Sequence, residues 1–524
     1  MPHSNLTTPG VYINEINAFP NSIVPVATAV PAFIGYTPQT AYEGKPYNNV
    51  PQKISSFAEF QAIYCPPNPP APADPAKQYY PQYYLVQQKS QPANNDYILI
   101  NGNYYALLPD ASTIYYLYNS VRLFYQNGGG DAYIVSVGGY GAPSSKPMDP
   151  GAQIVNPNVQ LNDLLGGLKL LLNEPAPTMY ICPEATLLSI ADNSTLMQEM
   201  LLQSSDMGTC ISLFDIIGGR NPDPVLYTND IATFRNGTGN NGLNYGCAYY
   251  PFVGTTITQN SEIDYTNIFG GDVAQLMPLL NPASNPNPAA ATILNEIINS
   301  PGAYTASQYN SALINASPLY AAILKHILAD VNLLPPSGAL AGVMTTVDNQ
   351  SGVWTAPANT SIVSAVSLPI RLSDSQQADL NIDAVTGKSI NAIRFFNGLG
   401  ILIWGARTLD GNSQDWRYLS TRRTVTMIEQ SCKLGAEAFV FQPNDKNTWS
   451  AVTAMISSFL TSLWKEGGLL GASPSDAFSV ACGLGTTMTS DEILNGLMNV
   501  TIQVAVVHPA EFIVITFQQI MPVS

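Results

Sequence analysis

Helical and strand patterns alternate along the chain between residues 113 and 216. An aromatic helix is predicted through TIYYLYNSVRLFYQ, and the strand AYIVSVG follows it after a run of glycines. Helices at about 159–173 and 192–204 each precede an apolar run of strand length, TMYICPE and CISLFDII. Strands that alternate with helices form parallel sheets covered by those helices, so this pattern predicts an α/β fold.

The stretch from Gly398 to Ser431 predicts a strand, a turn and a helix. The apolar run ILIW at 401–404 is too short for a helix and is therefore predicted as a buried strand. A polar turn, DGNSQ, follows, and a helix is expected from about Thr421 until Gly435 can end it.

Charged side chains concentrate in this same stretch. Two of its arginines fall in the first turn of the predicted helix, where the helix dipole disfavours cations. Because arginine suits bidentate pairing with carboxylates, we expect the partners on another element or another subunit. The candidates for these ion pairs are Arg407, Arg417, Arg422, Arg423, Asp415 and Glu429.

Both ends of the chain predict strands without obvious partners nearby. TPGVYINEI at 8–16 favours strand, and an edge strand of the chain's own sheet is the simplest alternative on physical grounds. In the last run, EFIVITFQQI at 511–520, both alternating sets of side chains are mostly apolar. Such a strand needs burial on both faces, within a sheet or between subunits.

Between these elements the sequence predicts loops and insertions. Six prolines lie between Pro66 and Pro75, and Asn101-Gly102 separates two apolar runs in a typical hairpin pattern. Asn, Gly, Pro and Ser dominate much of 220–317. Surface insertions are therefore expected at about 61–110 and 220–317. An irregular connector around Trp354 is predicted at 335–359, and AFVFQPND at 438–445 predicts a strand before a capped helix.

Composition narrows the classes of partner. The chain has a net charge of -16 with only 11% charged residues, which argues against binding to nucleic acid or to anionic membranes. Its six cysteines are scattered and are expected to be free thiols. No signal peptide or uninterrupted apolar span is present, so we expect assembly in the cytoplasm without membrane insertion.

Motifs for catalysis or cofactor binding are not found. GxSxG and HExxH are absent, and the sequence DAVTGKS has Ile382 where a phosphate loop requires glycine. His326 has no Cys or His at ligand spacing. We therefore expect no enzyme activity, no cofactor and no metal.

Several segments resemble one family in a fixed order. WGARTL at 404–409 and WRYLSTRR at 416–423 resemble the signature of contractile tail sheath proteins. TPGVY, NGGGDAYIVSVG, GVWTAPAN and PAEFI also resemble sheath segments, whereas 61–110 and 220–317 do not. The residues of the chain's signature core are Trp404, Gly405, Trp416 and Trp354.

This resemblance implies a multidomain α/β (α+β) sheath subunit. It implies a strand-donating arm at 1–20, an outer α/β domain at 21–385 with the two insertions, an inner domain at 386–508, and a C-terminal strand at 509–524. In this arrangement the inner sheet is completed by strands from neighbouring subunits. The implied donor residues are Val11, Tyr12, Ile13, Asn14, Glu15, Ile16, Phe512, Ile513, Val514 and Ile515.

The resemblance also implies a function. Six subunits per layer would surround an inner tube in a metastable extended state, and contraction would drive the tube through a target envelope. Baseplate and terminal cap proteins would be further partners, and the assembly would belong to a virion tail, a released particle or a secretion system. The alternative is a non-contractile capsid-like or surface structural protein. The arginines would serve either salt bridges between subunits or an ion network within one subunit.

Overall fold

The computed structural model describes residues 23–65, 81–92 and 97–512 of the chain. These residues form two compact units. The sheet unit contains the described part of Ala27–Thr426 together with residues 508–512, and the C-terminal unit contains residues 23–26 and Met427–Val507.

Strands and helices alternate through most of the sheet unit. The bounds below cover both units, and the elements that begin after Thr426 belong to the C-terminal unit. The strands are β1 (Pro31–Thr37), β2 (Ala41–Tyr42), β3 (Lys45–Pro46), β4 (Gln52–Ile54), β5 (Tyr83–Gln87), β6 (Ile98–Ile100), β7 (Asn103–Pro109), β8 (Ala132–Gly139), β9 (Met179–Ile181), β10 (Ile211–Asp215), β11 (Gly246–Tyr250), β12 (Val253–Gly254), β13 (Leu333–Leu334), β14 (Thr360–Ser361), β15 (Asn391–Phe396), β16 (Gly400–Ile403), β17 (Phe478–Ala481) and β18 (Thr501–Val504). The helices are α1 (Phe57–Tyr64), α2 (Leu117–Gln126), α3 (Leu161–Leu170), α4 (Ile190–Met207), α5 (Tyr227–Gly237), α6 (Met277–Leu280), α7 (Pro288–Asn299), α8 (Ala306–Ala316), α9 (Pro318–Val331), α10 (Ser337–Ser351), α11 (Asp374–Asn381), α12 (Leu419–Ala436), α13 (Lys446–Lys465), α14 (Pro474–Ala477) and α15 (Ser490–Leu494).

One large mixed sheet organises the sheet unit. Its strand order in the described residues is β14-β16-β15-β11-β10-β9-β1-β8-β4. The six strands from β15 to β8 in this order are parallel, and β4, β16 and β14 run antiparallel to their neighbours. All seven residues of β1 are buried, as expected for a strand covered on both faces. The predicted α/β fold is confirmed.

The boundary between the units differs from the predicted one at residue 385. β15 and β16, which the sequence assigned to the inner domain, pair into the large sheet. The chain enters the C-terminal unit only after Thr426, within α12. Local patterns predict the type of an element but not the sheet that it joins, and the predicted inner domain at 386–508 stays a prediction.

Residues 335–359 are not an irregular connector, because α10 occupies most of this range. The prolines and the single Trp354 of this range suggested turns, whereas Gly338 and Gly342 allow α10 to pack closely on α2. A Cβ atom at Gly338 would lie 2.3 Å from Ser120 O, and one at Gly342 would lie 2.4 Å from Phe124 O. These glycines therefore serve helix packing.

The prediction of a surface insertion across 220–317 is wrong for its first part. β11 lies between β10 and β15 in the large sheet, and all five of its residues are buried. Its sequence, GCAYY, is short and follows the Asn- and Gly-rich run NGTGNNGLNY, which hid it in the sequence pattern.

Described residues of the two predicted insertions fold together with α9 as one insertion module, residues 81–92, 97–109 and 255–331. A three-stranded sheet, β5-β7-β6, packs on the helices of residues 255–331. The predicted hairpin is confirmed, with Asn101 and Gly102 at φ 51° and 81°. The core of the module contains Tyr83, Leu85, Ile98, Ile100, Ile263, Ile268, Leu276, Leu294, Leu313, Tyr320, Ile323 and Ile327.

In the C-terminal unit, the predicted capped helix is present, but the strand predicted before it at 438–445 is not formed. The predicted helix is α13, and Asp445 caps it by accepting from Asn447 N and Thr448 N. The strand predicted at 438–445 is wrong, because a 3-10 turn at Glu437–Phe439 and an irregular loop stand there. Phe439 is buried, whereas the next two apolar residues face solvent, so the run cannot form a half-buried strand.

The cysteines are free thiols, as predicted. Among the described residues, no single helix is long and apolar enough to cross a membrane, although α8 and α9 pass that test together as a pair bent by 120°. Buried residues of α9 belong to the core of the insertion module.

Candidate assembly interface

The arginine-rich segment 404–423 connects β16 to the start of α12. Backbone hydrogen bonds hold both of its ends, since Trp404 N–H donates to Ala392 O at 2.8 Å and Leu419 N–H donates to Ala406 O at 3.0 Å. The predicted order of strand, turn and helix is confirmed. The segment is therefore fixed to the large sheet.

Arg407 forms a buried ion pair with Glu511 of the same chain. Its Nε donates to Glu511 Oε1 at 2.9 Å and to Oε2 at 3.2 Å, and its Nη2 donates to Oε2 at 2.5 Å. Asn381 Nδ2 donates to Oε1 at 2.9 Å, and the Tyr418 hydroxyl donates to Oε2 at 3.3 Å. Burial alone would raise the pKa of the Glu511 carboxyl, but these hydrogen bonds and the Arg407 charge outweigh it and lower the pKa.

Arg423 pairs with Asp348 on α10. Its Nη1 donates to Asp348 Oδ1 at 3.0 Å and its Nη2 to Oδ2 at 2.5 Å, and the two side chains are only 4% and 3% exposed. Thr28 joins both partners: its carbonyl accepts from Arg423 Nη2 at 2.9 Å, and its hydroxyl donates to Asp348 Oδ2 at 2.6 Å. This network ties the start of α12 to α10 and to the chain before β1.

The other two arginines make different contacts. The Arg422 guanidinium lies 4.2 Å from the ring centre of Trp416 and 4.7 Å from that of Tyr245, which are cation–π distances. Arg417 Nε donates to Ser413 O at 3.2 Å, within the same segment.

Ion pairing within one subunit, the second of the two predicted alternatives, is present for Arg407 and Arg423. Asp415 and Glu429 are exposed, and a role for Arg417, Asp415 and Glu429 between subunits stays a prediction. Asp348, which lies 75 residues from Arg423, has no local signal in the sequence. Glu511 had one, because it is the carboxylate of the PAEFI motif.

The remaining signature residues have packing roles in the described structure. A Cβ at Gly405 would lie 2.8 Å from Asn391 Oδ1, so the close approach of residue 405 to Asn391 on β15 requires glycine. Trp404 packs against Phe396, with ring centres 4.4 Å apart. The Trp354 ring covers Gly352, where a Cβ would lie 2.2 Å from ring carbon Cζ2.

Lys388, from the sequence compared with a phosphate loop, and His326, considered as a metal ligand, were not predicted as chemical sites. The Lys388 ammonium donates to Arg235 O at 2.5 Å, within the protein rather than toward an open loop. His326 is half-buried on α9, and no group of three metal-ligating side chains occurs in the described parts of the chain.

The C-terminal unit contains a small antiparallel sheet. β17 and β18 pair over four residues, from Phe478 with Val504 to Ala481 with Thr501. No third strand extends this sheet among residues 23–65, 81–92 and 97–512. A two-stranded sheet is marginally stable alone, and its outer edges offer backbone groups to another chain.

The register shows which groups β17 offers. Ala505 N–H donates to Ala477 O at 2.8 Å, which makes these residues a hydrogen-bonded pair of the ladder. Hydrogen-bonded and non-hydrogen-bonded pairs alternate in an antiparallel ladder. Phe478 and Val480 therefore direct their backbone N–H and C=O groups away from β18. Because the Phe478 N–H donates to Pro474 O within the same unit, Phe478 offers only its C=O, whereas Val480 offers both groups.

A cleft lies beside β17. Its volume is about 430 Å³, and small side chains of α13 form one wall. The described residues that line it are Ser450, Thr453, Ala454, Val480, Ala481, Cys482 and Thr486. Residues of β18 do not line it, so the open space borders β17.

Apolar side chains are also exposed on two loops of the C-terminal unit. Phe441 is fully exposed at φ 68°, and Leu494 and Leu497 are 84% and 51% exposed. Asn444 Nδ2 donates to Leu497 O at 2.8 Å, which links the two loops. Exposed apolar groups of this size are typical of interaction surfaces.

Most of the predicted donor residues lie outside the described residues. This applies to Val11, Tyr12, Ile13, Asn14, Glu15, Ile16, Ile513, Val514 and Ile515. Phe512 is described: it is 71% exposed and belongs to no strand. Strand donation therefore stays a prediction.

Residues 412–520, which contain β17, β18 and the cleft, match the phage tail sheath C-terminal domain family. The tail sheath protein of Burkholderia phage BcepMu is 27% identical over 144 residues, which are 26% of this chain and 30% of that protein. The alignment thus spans less than a third of the phage relative.

The likeness of the fold extends far beyond residues 412–520. The sheath of the extracellular contractile injection system PVC, in its contracted state, aligns over 99% of both chains with 23% identity and a TM-score of 0.57. The contracted helical sheath of the anti-feeding prophage AFP aligns over 98% of this chain and 99% of that chain, with 24% identity and a TM-score of 0.56. The predicted resemblance to contractile tail sheath proteins is confirmed.

Proposed function

We propose that the chain is the structural sheath subunit of a contractile injection machine. Subunits polymerise in layers of six around an inner tube, in a metastable extended state, and contract to drive the tube through a target envelope. The observation that carries this proposal is the incomplete two-stranded sheet in the sheath C-terminal domain, with open space beside β17.

Neighbouring subunits complete this sheet. Residues 11–16 of one copy and residues 512–515 of another add strands at its open edges. Each backbone hydrogen bond contributes on the order of 1 kcal/mol net, so a strand of several residues makes a durable link. The small side chains of α13 leave room for the side chains of an added strand.

Such links persist while subunits rotate as rigid bodies from one lattice to another. The extended lattice is kinetically trapped until a baseplate signal releases it.

The partners are other copies of the chain, baseplate proteins, an inner tube protein and a terminal cap. The assembly forms in a bacterial cytoplasm and acts as a virion tail or an extracellular particle. Nucleic acid is not a partner of a chain with a net charge of -16.

Electron microscopy of negatively stained assemblies tests this function. The full-length chain, supplied with tube and baseplate proteins, is expected to form hollow tubes of two diameters, and a chain that lacks residues 1–20 is expected to remain as soluble subunits. Tubes from both chains would remove the N-terminal arm from the assembly mechanism. If neither chain forms tubes, the sheath function itself is contradicted.

A further inference from the structure

Residues 508–512, here called the linker, overlap the start of the predicted C-terminal strand at 509–524, whose donor residues begin at Phe512. Side chains of the sheet unit hold this linker. Glu511 accepts hydrogen bonds from Arg407, Asn381 and Tyr418, as described above. His508 Nδ1 lies 3.1 Å from the Thr421 hydroxyl oxygen, within hydrogen-bond distance. The ring of His508 also packs on that of Tyr418, with centres 5.8 Å apart. Two of the five linker residues are thus fixed by their side chains.

Arg407 is itself held in place by the large sheet. Its N–H donates to Asn391 Oδ1 at 2.7 Å, and Asn391 Nδ2 donates back to Arg407 O at 2.8 Å. Its Nη1 donates to Asn381 O at 3.1 Å, and the residue is only 2% exposed. A buried guanidinium requires a counter-charge, and Glu511 supplies it from the linker.

The linker does not belong to the unit that precedes it in sequence. Residues up to Val507 pack in the C-terminal unit, whereas residues 508–512 pack in the sheet unit. We infer that the Arg407–Glu511 ion pair, here called the clamp, anchors the start of the C-terminal strand to the sheet unit. This inference rests on the proposed donation of that strand to a neighbouring copy.

Because of the clamp, a donated strand connects the neighbouring copy to the donor's sheet unit. A neighbour that receives residues 512–515 is tied directly to the donor's sheet unit, because Phe512 follows Glu511 in the chain. Three charge-assisted hydrogen bonds between Arg407 and Glu511 resist release of the linker when subunits rotate. Arg407 and Glu511 are therefore positioning residues for assembly, distinct from the strand that makes the contact between copies.

The test compares four chains, each supplied with tube and baseplate proteins. They are the full-length chain, a chain ending at residue 512, the variant Glu511→Gln, and the control Asp131→Asn, which removes an exposed ion pair with Lys53. Glu511→Gln keeps the shape of the side chain and removes its charge. We expect few or no tubes from this variant and normal tubes from the control.

Hydrogen exchange of the free subunits provides a readout that is independent of assembly. Local opening of residues 508–512 should become roughly tenfold more populated in Glu511→Gln, because a hydrogen bond to a charged group contributes about that factor. Tyr418→Phe, which removes one donor to Glu511 and keeps the aromatic ring, should increase exchange less. The second variant retains the test if Glu511→Gln fails to fold.

The possible failures are distinguishable. If the full-length chain forms no tubes, the proposed function is contradicted, and the inference loses its basis. If the chain ending at 512 assembles normally, donation of the C-terminal strand is contradicted. If that truncation blocks assembly while Glu511→Gln forms normal tubes with unchanged exchange, the clamp alone is overturned.

Discussion

Arg422 and Arg423 are buried near the start of α12, where the helix dipole disfavours positive charge. The carboxylate of Asp348 compensates Arg423, and the rings of Trp416 and Tyr245 lie against Arg422. These two of the three arginines in the WRYLSTRR motif therefore secure the packing of α12 on the rest of the sheet unit.

Replacing Asp348 with asparagine should destabilise the subunit strongly. The change leaves the Arg423 guanidinium buried without its counter-charge, a loss that costs about 3–5 kcal/mol in comparable buried pairs. Urea unfolding of the free subunit measures this effect. The matched control is Asp131→Asn, because Lys53 and Asp131 are half-exposed and their pair contributes little. Equal unfolding midpoints for the two variants would contradict the assigned role of Arg423–Asp348.

Glu184 is a buried carboxyl group beneath β1. Its Oε1 accepts from Leu117 N–H at 2.8 Å, and its Oε2 has no hydrogen-bond partner among the described residues. Burial raises the pKa of Glu184 to about 8, although hydrogen bonds from backbone N–H groups lower it in part. Gly35 is required above it, since a Cβ there would lie 2.4 Å from Oε2.

This raised pKa predicts a loss of stability as pH rises. The folded state keeps the proton up to about pH 8, whereas the unfolded chain releases it near the ordinary pKa of 4.5. Between these values folding requires proton uptake, so the free energy of unfolding falls with increasing pH.

Glu184→Gln cannot ionise and should therefore be more stable than the original chain at pH 8, by a few kcal/mol at most. The difference should vanish near pH 4.5, below which both side chains are neutral in both states. Urea unfolding measured across this range checks the prediction. Asp215, whose pKa burial raises to about 7, is common to both chains and cancels in the comparison. Parallel stability curves would contradict an ionisable Glu184 in the core.

At the scale of elements, the assembly proposal depends on the edge of β17 that faces away from β18. Proline at residue 480 removes an outward N–H and leaves the β17–β18 ladder intact, because proline is tolerated on the free side of an edge strand. Ile502→Pro tests the outer edge of β18 in the same way.

At least one of Val480→Pro and Ile502→Pro should prevent tube formation while the subunit remains folded, as measured by microscopy and circular dichroism. Val480→Ala controls for loss of the side chain, and Ser479→Pro should instead disrupt the ladder itself, since Ser479 pairs with Gln503 in a hydrogen-bonded position. Normal tubes from both edge variants would exclude these edges as acceptors.

Elements with local signals were predictable from the sequence. Asn101-Gly102 gave the hairpin because few other residues adopt two successive positive φ angles. α10 was missed because the prolines and Trp354 suggested turns, and the packing of Gly338 and Gly342 on α2 has no local signal. β11 was hidden by the Asn- and Gly-rich residues before it.

The candidate site was predictable only in part. The sequence singled out the arginines but not Asp348 or the clamp role of Glu511, because those contacts join residues far apart in the chain. The cleft beside β17 depends on the packing of α13, which no local pattern specifies.

At the scale of the whole molecule, the alignment with solved sheath structures extends over nearly the entire chain, including the insertion module. Residues 61–110 and 220–317 were predicted as surface insertions, yet parts of both share one core, with Ile98 from the first segment and Ile268 from the second. Contacts between the two parts of this module join residues far apart in the chain, as the hydrogen bond between Tyr83 and Asp330 across 247 residues illustrates. A pattern of local propensity contains no such pairing.

Cryo-electron microscopy of the assembled tubes tests the central claim most directly. The account predicts additional strands on the β17–β18 sheet, formed by residues 11–16 and 512–515 of neighbouring copies, with Glu511 of each donor still bound to its own Arg407. A sheet that remains two-stranded in the tube, or whose added strands come from the same copy, would contradict strand donation as the link between subunits.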